Sequence, residues 1–286
     1  MDIVKFQEVA IKYKTIFFDA FGVLKNHKGM IDGIQETFNF LDRHNINYYV
    51  VTNDSSRGPE ELSDSYVKRG IYCITPDKII SSGMLAHEWL AIKVQGGKVA
   101  YIGTKSSAHY IEQAGLTTLA IRDLDLNSID DIAALVFLDD EGFHWDEDLN
   151  KALNLLRKRN IPVIVANTDK HYPVSKHDVS IAIGGLADMV ERVSGKQFIR
   201  FGKPDAQMFM FAFNRAKQDN AQLHRREILM VGDTLETDII GGNKFGVDTA
   251  LVLTGNTIPE MAEIRIKSTG IIPDYVCESA VVLKEE

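Results

Sequence analysis

The sequence predicts an α/β fold in which parallel strands are joined by crossover helices. Short runs of β-branched and aromatic residues alternate with segments of helical period along the whole chain, which is the pattern of that class. The length of 286 residues is enough for about two domains. No repeat, low-complexity tract or charge block is visible in the sequence, which argues against solenoids and charged tails.

Each predicted strand is a short apolar or β-branched run. The predicted strands are Thr15–Phe18, Asn47–Thr52, Lys98–Gly103, Ile132–Leu138, Ile161–Ala166, Phe198–Phe201, Glu227–Val231 and Thr249–Leu253. Two helices are also predicted. Pro59–Arg69 begins with proline and is followed by Gly70, which are typical helix ends, and Asp148–Arg159 has its leucines on one face of the helix. Candidate entry and exit points for an inserted unit are Ser81–Gly83 and Ser194–Lys196.

Composition and charge argue against several classes of protein. The chain is 45% hydrophobic and 25% charged, which is ordinary for a packed globular protein, and its formal charge of -8 disfavours nucleic acid or an anionic membrane as a partner. Cys73 and Cys277 form neither a disulfide framework nor a zinc spacing. The first residues lack the apolar stretch of a signal peptide, and the longest apolar runs are too short to span a bilayer, so we expect a cytoplasmic protein.

Carboxylates follow two of the predicted strands, at the edge of the sheet where α/β proteins bind ligands. Asp19 comes directly after Phe18, and Gly22 then allows a sharp turn. Asp233 ends another apolar strand, and Asp238 follows five residues later. If the two strands are neighbours, three carboxylates converge, and such a cluster needs a cation; oxygen ligands favour Mg²⁺. The alternative is that each aspartate caps the next helix.

Two further segments carry groups suited to phosphate. Lys203 lies in a Gly-Lys-Pro sequence after a predicted strand, where a lone lysine is usually solvated. Thr52 and Asn53 end the second strand with a hydroxyl and an amide, which suit either phosphate oxygens or a turn. Each signal is weak when it is taken alone.

Together and in this order, these segments resemble the motifs of the haloacid dehalogenase superfamily of phosphotransferases. The similarity is to the branch with a large class-two cap, which includes sugar phosphatases, 4-nitrophenylphosphatases and glycerol or pyridoxal phosphate phosphatases. Val165–Asp169 looks like the Asn-x-Asp cap segment of that branch, and Phe201–Phe209 and Val231–Ile239 read like its core signatures. The resemblance covers nearly the whole chain.

The resemblance implies a Rossmann-like core with an inserted α/β cap domain, so we expect core residues 1–81, a cap at 82–196 and core residues 197–286. It implies that Asp19 is the nucleophile that forms an aspartyl-phosphate, that Lys203 bridges Asp19 and the phosphate, and that Thr52 and Asn53 hold phosphate oxygens. The expected Mg²⁺ ligands are given by the same resemblance. They are Asp19, the backbone carbonyl of Phe21, and Asp233, with Asp238 supporting the metal shell.

Candidate substrate contacts lie after the predicted strand Ile161–Ala166 of the cap. They are Asn167, Asp169, His171 and Tyr172. A second polar and aromatic cluster, Phe143–Trp145, is an alternative contact, although such a cluster more often packs against a helix.

Phe21 is the one departure from the family pattern, which reads Asp-x-Asp-Gly in phosphatases. Phenylalanine transfers no proton, and losing general acid–base catalysis typically removes about 10²–10⁴ in rate. Three readings follow: a slow or leaving-group-restricted phosphatase, a phosphate-ester binding protein, and a 2-haloacid dehalogenase, whose Asp-x-Tyr-Gly opening is similar. Substitute acids could be Asp54, Glu141 or Asp169.

The expectation is therefore a Mg²⁺-dependent hydrolase of a small phosphorylated metabolite, with sugar phosphates favoured by the resemblance. A homodimer is expected because caps in this branch often associate. Neither nucleic acid nor a membrane is an expected partner.

Overall fold

The computed structural model describes residues 2–175 and 177–283. Its strands are β1 (Thr15–Phe18), β2 (Lys25–Asn26), β3 (Gly29–Met30), β4 (Asn47–Thr52), β5 (Ile79–Ser81), β6 (Lys98–Ile102), β7 (Thr117–Ala120), β8 (Ile132–Phe137), β9 (Val163–Val165), β10 (His171–Pro173), β11 (Val179–Ile181), β12 (Ile199–Arg200), β13 (Ile228–Gly232), β14 (Asp248–Val252) and β15 (Tyr275–Cys277).

The α-helices mostly connect parallel strands, as the sequence pattern predicts. They are α1 (Phe6–Ala10), α2 (Ile34–Arg43), α3 (Pro59–Val67), α4 (Ser82–Lys93), α5 (His109–Glu112), α6 (Trp145–Lys158), α7 (Ile183–Ser194), α8 (Ala206–Asp219), α9 (Ile240–Phe245) and α10 (Pro259–Thr269). Within the described residues, no helix has the length and apolar character that a membrane crossing requires.

The first sheet contains six parallel strands in the order β15-β14-β13-β1-β4-β5. All four residues of its central strand β1 are buried. Ile16 and Phe18 pack in one apolar cluster, whereas Phe17 packs in another, because successive side chains point to opposite faces of a strand. Both faces of this sheet are therefore covered, which explains why its strands are continuously apolar rather than alternating.

The second sheet lies, in sequence, between β5 and β13, so it belongs to a unit inserted into the first fold. Its strands are parallel, in the order β12-β9-β8-β6-β7. One apolar cluster contains Phe17 and Tyr49 of the first sheet together with Val136 and Ile164 of the second. The fold is thus the expected α/β core with an inserted α/β cap, and the two units share a continuous core.

The structure refines several element bounds. The segment predicted as strand Phe198–Phe201 is the two-residue β12, which pairs with β9, so the second sheet extends to residue 200, beyond the cap limit predicted at 196. Helix α6 begins at Trp145 rather than Asp148; its first turn contains three acidic residues, which the positive end of the helix dipole favours. The hairpins β2–β3 and β10–β11 were not predicted, because strands of two or three residues leave no periodic pattern.

Phe38 on α2 fills the space over the first sheet. Its ring centroid lies 5.9 Å from that of Phe18 and 5.0 Å from that of Tyr48, and its side chain is fully buried. These tilted and edge-on contacts join the helix to β1 and β4.

We expect Phe38→Ala to lower the free energy of unfolding by about 3–5 kcal/mol, because it removes a buried ring and leaves a cavity. Urea unfolding monitored by circular dichroism measures the change. Ile272→Ala is the control, since 68% of Ile272 is exposed and its truncation should cost less than about 0.5 kcal/mol. Equal losses in the two variants would contradict this account of the core.

Candidate active site

Three acidic side chains meet beyond the carboxyl ends of β1 and β13. These strands are parallel neighbours with Phe18 opposite Val231, and the backbone N–H of Asp19 donates to the carbonyl of Val231 at 2.9 Å. Asp233 follows β13, and the next turn of chain returns Asp238 to the same point. One carboxylate oxygen from each of Asp19, Asp233 and Asp238 lies within 4.8 Å of the other two.

Lys203 is buried among these carboxylates, with a relative exposure of 1%. Its Nζ lies 2.7 Å from an oxygen of Asp19 and 2.7 Å from an oxygen of Asp238. Burial by itself lowers the pKa of Lys203, but the charges of Asp19 and Asp238 outweigh this effect and raise the pKa. The lysine is therefore a fixed positive charge, and it is not the solvated side chain that a lone lysine usually is.

One ammonium group does not neutralise three carboxylates. Burial and then repulsion by Asp19 raise the pKa of Asp233 well above its usual range. Burial raises the pKa of Asp238 to about 7, with Lys203 opposing the change. Such an excess of negative charge on oxygen ligands fits a hard divalent cation.

The oxygens of Asp233 and Asp238 also contact neighbouring protein groups. Oδ2 of Asp238 accepts from the N–H of Thr234 at 3.1 Å, whereas Oδ1 is ion-paired with Lys203 but has no hydrogen-bond partner among the described residues. Asp233 accepts from the Thr234 hydroxyl at 3.0 Å and from the N–H of Asn256 at 2.5 Å. Both oxygens of Asp233 therefore accept hydrogen bonds, so these bonds do not distinguish direct metal ligands from supporting residues. The supporting role of Asp238 stays a prediction.

Two glycines make room for the Asp233 carboxylate. A Cβ at Gly22 would lie 2.5 Å from Cγ of Asp233, and a Cβ at Gly255 would lie 2.6 Å from the same atom. Gly22 also has a φ of +85°, which other residues rarely adopt. The glycine after Phe21 is therefore required by close packing of the acidic cluster as well as by the turn.

A cavity of about 370 Å³ opens above Asp19, between the strand ends of the core and the cap. Phe21 forms part of its wall, and Thr52 lies at the end of β4 with its Oγ1 accepting from the N–H of Asp54 at 3.1 Å. The lining residues are Asp19, Ala20, Phe21, Lys25, Thr52, Asp54, Ser56, Arg57, Leu138, Asp139, Asp140, Glu141, Asn167, Asp169, Tyr172 and Ala182.

The side-chain amide of Asn53, directly after β4, bonds to several protein groups. Its side-chain amide donates to Thr168, Asp169 and the carbonyl of Lys203, and its oxygen accepts from the N–H of Lys203. The hydrogen-bonding groups of this side chain thus have protein partners in the structure, and the expectation that Asn53 holds phosphate oxygens stays a prediction.

The three candidate acids, Asp54, Glu141 and Asp169, all line the cavity with Asp19 and Phe21. The Asp54 carboxylate contacts residues close to it. One oxygen accepts from the N–H and the hydroxyl of Ser56, and the other lies 3.8 Å from the Nζ of Lys25. Burial raises the pKa of Asp169 to about 6, while Lys203 lowers it and Asp19 raises it.

The remaining residues predicted to contact the substrate lie in different places. Asn167 and Tyr172 line the cavity, with the Tyr172 hydroxyl donating to Asp140 at 3.0 Å. His171 instead lines a neighbouring cleft of about 620 Å³, on the other side of Asp169. Phe143–Trp145 is not among the described residues that line the cavity above Asp19; Phe143 packs against the apolar core of the cap.

Some site residues were missed although a signal for them was present. Asp139 and Asp140 follow β8 after Leu138, and Asn256 lies four residues beyond β14, so the rule that identified Asp19 also applied to them. Burial raises the pKa of Asp139 to about 6. Thr168 stood inside the Asn-x-Asp segment but had no distinguishing feature in sequence.

Comparisons with known proteins agree with this geometry. A family model described as haloacid dehalogenase-like hydrolase matches residues 16–117, and a HAD-hydrolase-like model matches residues 200–281. A crystal structure from Cytophaga hutchinsonii, described as a possible sugar phosphatase of the HAD superfamily, is 58% identical. The match covers 99% of this chain and 100% of that one, with a TM-score of 0.95.

More distant relatives also match over most of the chain. Chronophin from Mus musculus is 29% identical, covering 98% of this chain and 94% of its own. The acid sugar phosphatase of Staphylococcus saprophyticus is 27% identical, covering 92% of this chain and 93% of its own. Core and cap are therefore both included in the similarity.

The raised pKa values of Asp233 and Asp238 predict how stability depends on pH. Between about pH 4.5 and 7 the folded, metal-free protein retains protons that the unfolded chain has lost, so the free energy of unfolding falls as the pH rises. Thermal unfolding in a chelating buffer across this range measures the effect. Adding Mg²⁺ at pH 7 should raise the melting temperature, and Asp233→Asn should remove that response. A metal-free protein that is more stable at pH 7 than at pH 5 would contradict the prediction.

Proposed function

The chain belongs to the haloacid dehalogenase-like hydrolases, and from that premise we propose that it is a Mg²⁺-dependent phosphatase of a small phosphorylated metabolite. The observation that carries the proposal is the meeting of Asp19, Lys203, Asp233 and Asp238 in one buried cluster. Asp19 connects this cluster to the cavity, because its side chain also lines the cavity wall. Sugar phosphates are favoured as substrates, because relatives named as sugar phosphatases match over nearly the whole chain.

In the proposed reaction, a carboxylate oxygen of Asp19 forms a bond to phosphorus while the bond from phosphorus to the ester oxygen breaks. The ammonium group of Lys203 offsets the repulsion between the carboxylate and the phosphate dianion. The hydroxyl of Thr52, which lines the cavity beside Asp19, would donate to a phosphate oxygen. Attack of water on the aspartyl-phosphate then releases phosphate and restores the Asp19 carboxylate.

The acidic cluster fits Mg²⁺ by its donor chemistry. Asp19, Asp233 and the backbone carbonyl of Phe21 would hold the ion, with Asp238 supporting Lys203 and the turn at Thr234. The bound ion would neutralise phosphate oxygens and stabilise the charge that develops in the transition state.

Phe21 restricts which leaving groups can depart. An aryl or acyl leaving group is stable as an anion, whereas a sugar alkoxide needs a proton that Phe21 cannot give. We therefore propose a slow phosphatase, or one in which another carboxylate of the cavity supplies the proton. Asp54, Glu141 and Asp169 remain the candidates for that role.

Phe21 also favours a second candidate function, a phosphate-ester binding protein that retains the site without turnover. A 2-haloacid dehalogenase is less supported, because its chemistry needs no metal and gives no role to the pair Asp233 and Asp238 beside Asp19.

A panel of phosphate esters with graded leaving-group pKa tests the proposal. With Mg²⁺, we expect turnover to fall steeply as the leaving-group pKa rises, and we expect both Mg²⁺ removal and Asp19→Asn to abolish it. A phosphoryl group trapped on Asp19 by rapid acid quench with 4-nitrophenyl phosphate would support the covalent step. Saturable binding without phosphorylated enzyme or product would instead support the binding protein.

Restoring the missing acid gives a further prediction. Phe21→Asp should raise kcat on a sugar phosphate by about tenfold or more, since general acid catalysis is worth about 10²–10⁴ in rate. Phe21→Asn is the matched control, because it has a similar size and no proton to transfer, and it should give no such gain. If Phe21→Asp folds, responds to Mg²⁺ and is no faster, the account of Phe21 is wrong.

A further inference from the structure

The Asn53 side chain lies at the junction of three segments that are far apart in sequence. It is 1% exposed. Its Nδ2 donates to Oγ1 of Thr168 at 3.0 Å and to Oδ1 of Asp169 at 2.8 Å, both in the cap loop that follows β9. The same Nδ2 lies 3.1 Å from the carbonyl oxygen of Lys203, and Oδ1 accepts from the N–H of Lys203 at 2.7 Å.

Lys203 is consequently held at both ends. Its peptide N–H and carbonyl bond to Asn53, and the hydroxyl of Thr168 donates to the same carbonyl at 2.6 Å. Its ammonium group bonds to Asp19 and Asp238. The segment also packs closely against Asn53, since a Cβ at Gly202 would lie 2.6 Å from Oδ1 of Asn53.

The contact with Asp169 is the part that the core cannot supply. Within the core, the hydrogen-bond partners of the Asn53 side chain are the peptide groups of Lys203. Nδ2, however, carries two hydrogens, and each needs an acceptor. The Lys203 carbonyl can accept one of them, and the other acceptors of Nδ2 are Asp169 and Thr168 of the cap. Without the cap loop, one hydrogen of this buried amide would lose its partners, which is costly enough to favour a different side-chain orientation.

We infer that Asn53 is a positioning residue that couples the cap loop Asn167–Asp169 to Lys203, so that Lys203 is aligned with Asp19 only while this loop is seated on the core. The inference rests on the proposed phosphatase function and adds to it a link between cap closure and the phosphate-neutralising charge. It also gives Asp169 a definite role, which is to orient Asn53 rather than to protonate the leaving group.

Substitutions that swap the side chains of Asn53 and Asp169, singly and together, test the coupling. Asn53→Asp keeps an acceptor for the N–H of Lys203 but replaces the donor to Asp169 with a second carboxylate. We expect kcat for 4-nitrophenyl phosphate, measured at about pH 8 where Asp169 is ionised, to fall by about 10–100-fold with little change in KM. Asp169→Asn alone should be mild, since its amide oxygen can still accept from Asn53. In the double variant the new amide at 169 donates to the new carboxylate at 53, so at least part of the loss should be recovered.

Ser55→Ala is the matched control. The Ser55 hydroxyl donates to the carbonyl of Leu138 at 2.5 Å, so it joins the same core loop to the cap without a bond to Lys203. Its removal should lower the melting temperature while changing kcat by less than about threefold. If Ser55→Ala lowers kcat as much as Asn53→Asp does, the effect is a general weakening of the cap interface and the inference is overturned.

Deuterium exchange at the amide of Lys203 provides a readout that does not depend on turnover. Exchange should accelerate in Asn53→Asp, return towards the wild-type rate in the double variant, and stay unchanged in Ser55→Ala. Unaltered exchange in Asn53→Asp, or a double variant no better than Asn53→Asp, overturns the coupling.

If Asp169→Asn alone is inactive on alkyl phosphates but normal on aryl phosphates, Asp169 is the acid and the positioning role is wrong. An inactive wild type with the expected exchange pattern would overturn the proposed function but leave the coupling intact.

Discussion

The ion pairs of Lys203 with Asp19 and Asp238 are the interaction on which the rest of the site depends. A buried ammonium group costs several kcal/mol to desolvate, so it is tolerated only when charges and hydrogen bonds surround it closely. The parallel pairing of β1 with β13 supplies the carboxylates, and the peptide of Lys203 is held by Asn53. The excess of negative charge that remains is what makes the site suited to a divalent cation.

The chemistry of the cavity follows from how its two halves differ. On the core side the cavity is lined by Asp19, whose carboxylate is paired with the buried Lys203, and by Phe21, which departs from the family pattern. The cap half adds Asp139, Asp140 and Asp169, so the space for the leaving group is lined by carboxylates. The family membership therefore supports the reaction class, whereas in the proposed function Phe21 and the cap residues restrict which esters can react.

Much of the fold and the acidic cluster could be predicted because the signals were local. A strand such as β1 is four consecutive buried residues, and an aspartate directly after it lies at the edge of the sheet whatever the rest of the chain does. The cap side was predicted less well. Asp139 and Asp140 obeyed the same strand-end rule but lay in a part of the chain where no family motif drew attention to them, and β12 was too short to show which sheet it joins.

Asn53 shows where the sequence stops being informative. The residues themselves determined the α/β class, the positions of the central strands and the carboxylates that end them, because these depend on hydrophobic period and on neighbours in sequence. Only the tertiary structure decided that the amide of Asn53 faces Asp169 and Lys203, which are 116 and 150 residues away along the chain. A hydrogen bond is formed with whichever partner packing brings within reach, and a lone amide in a sequence carries no information about that partner.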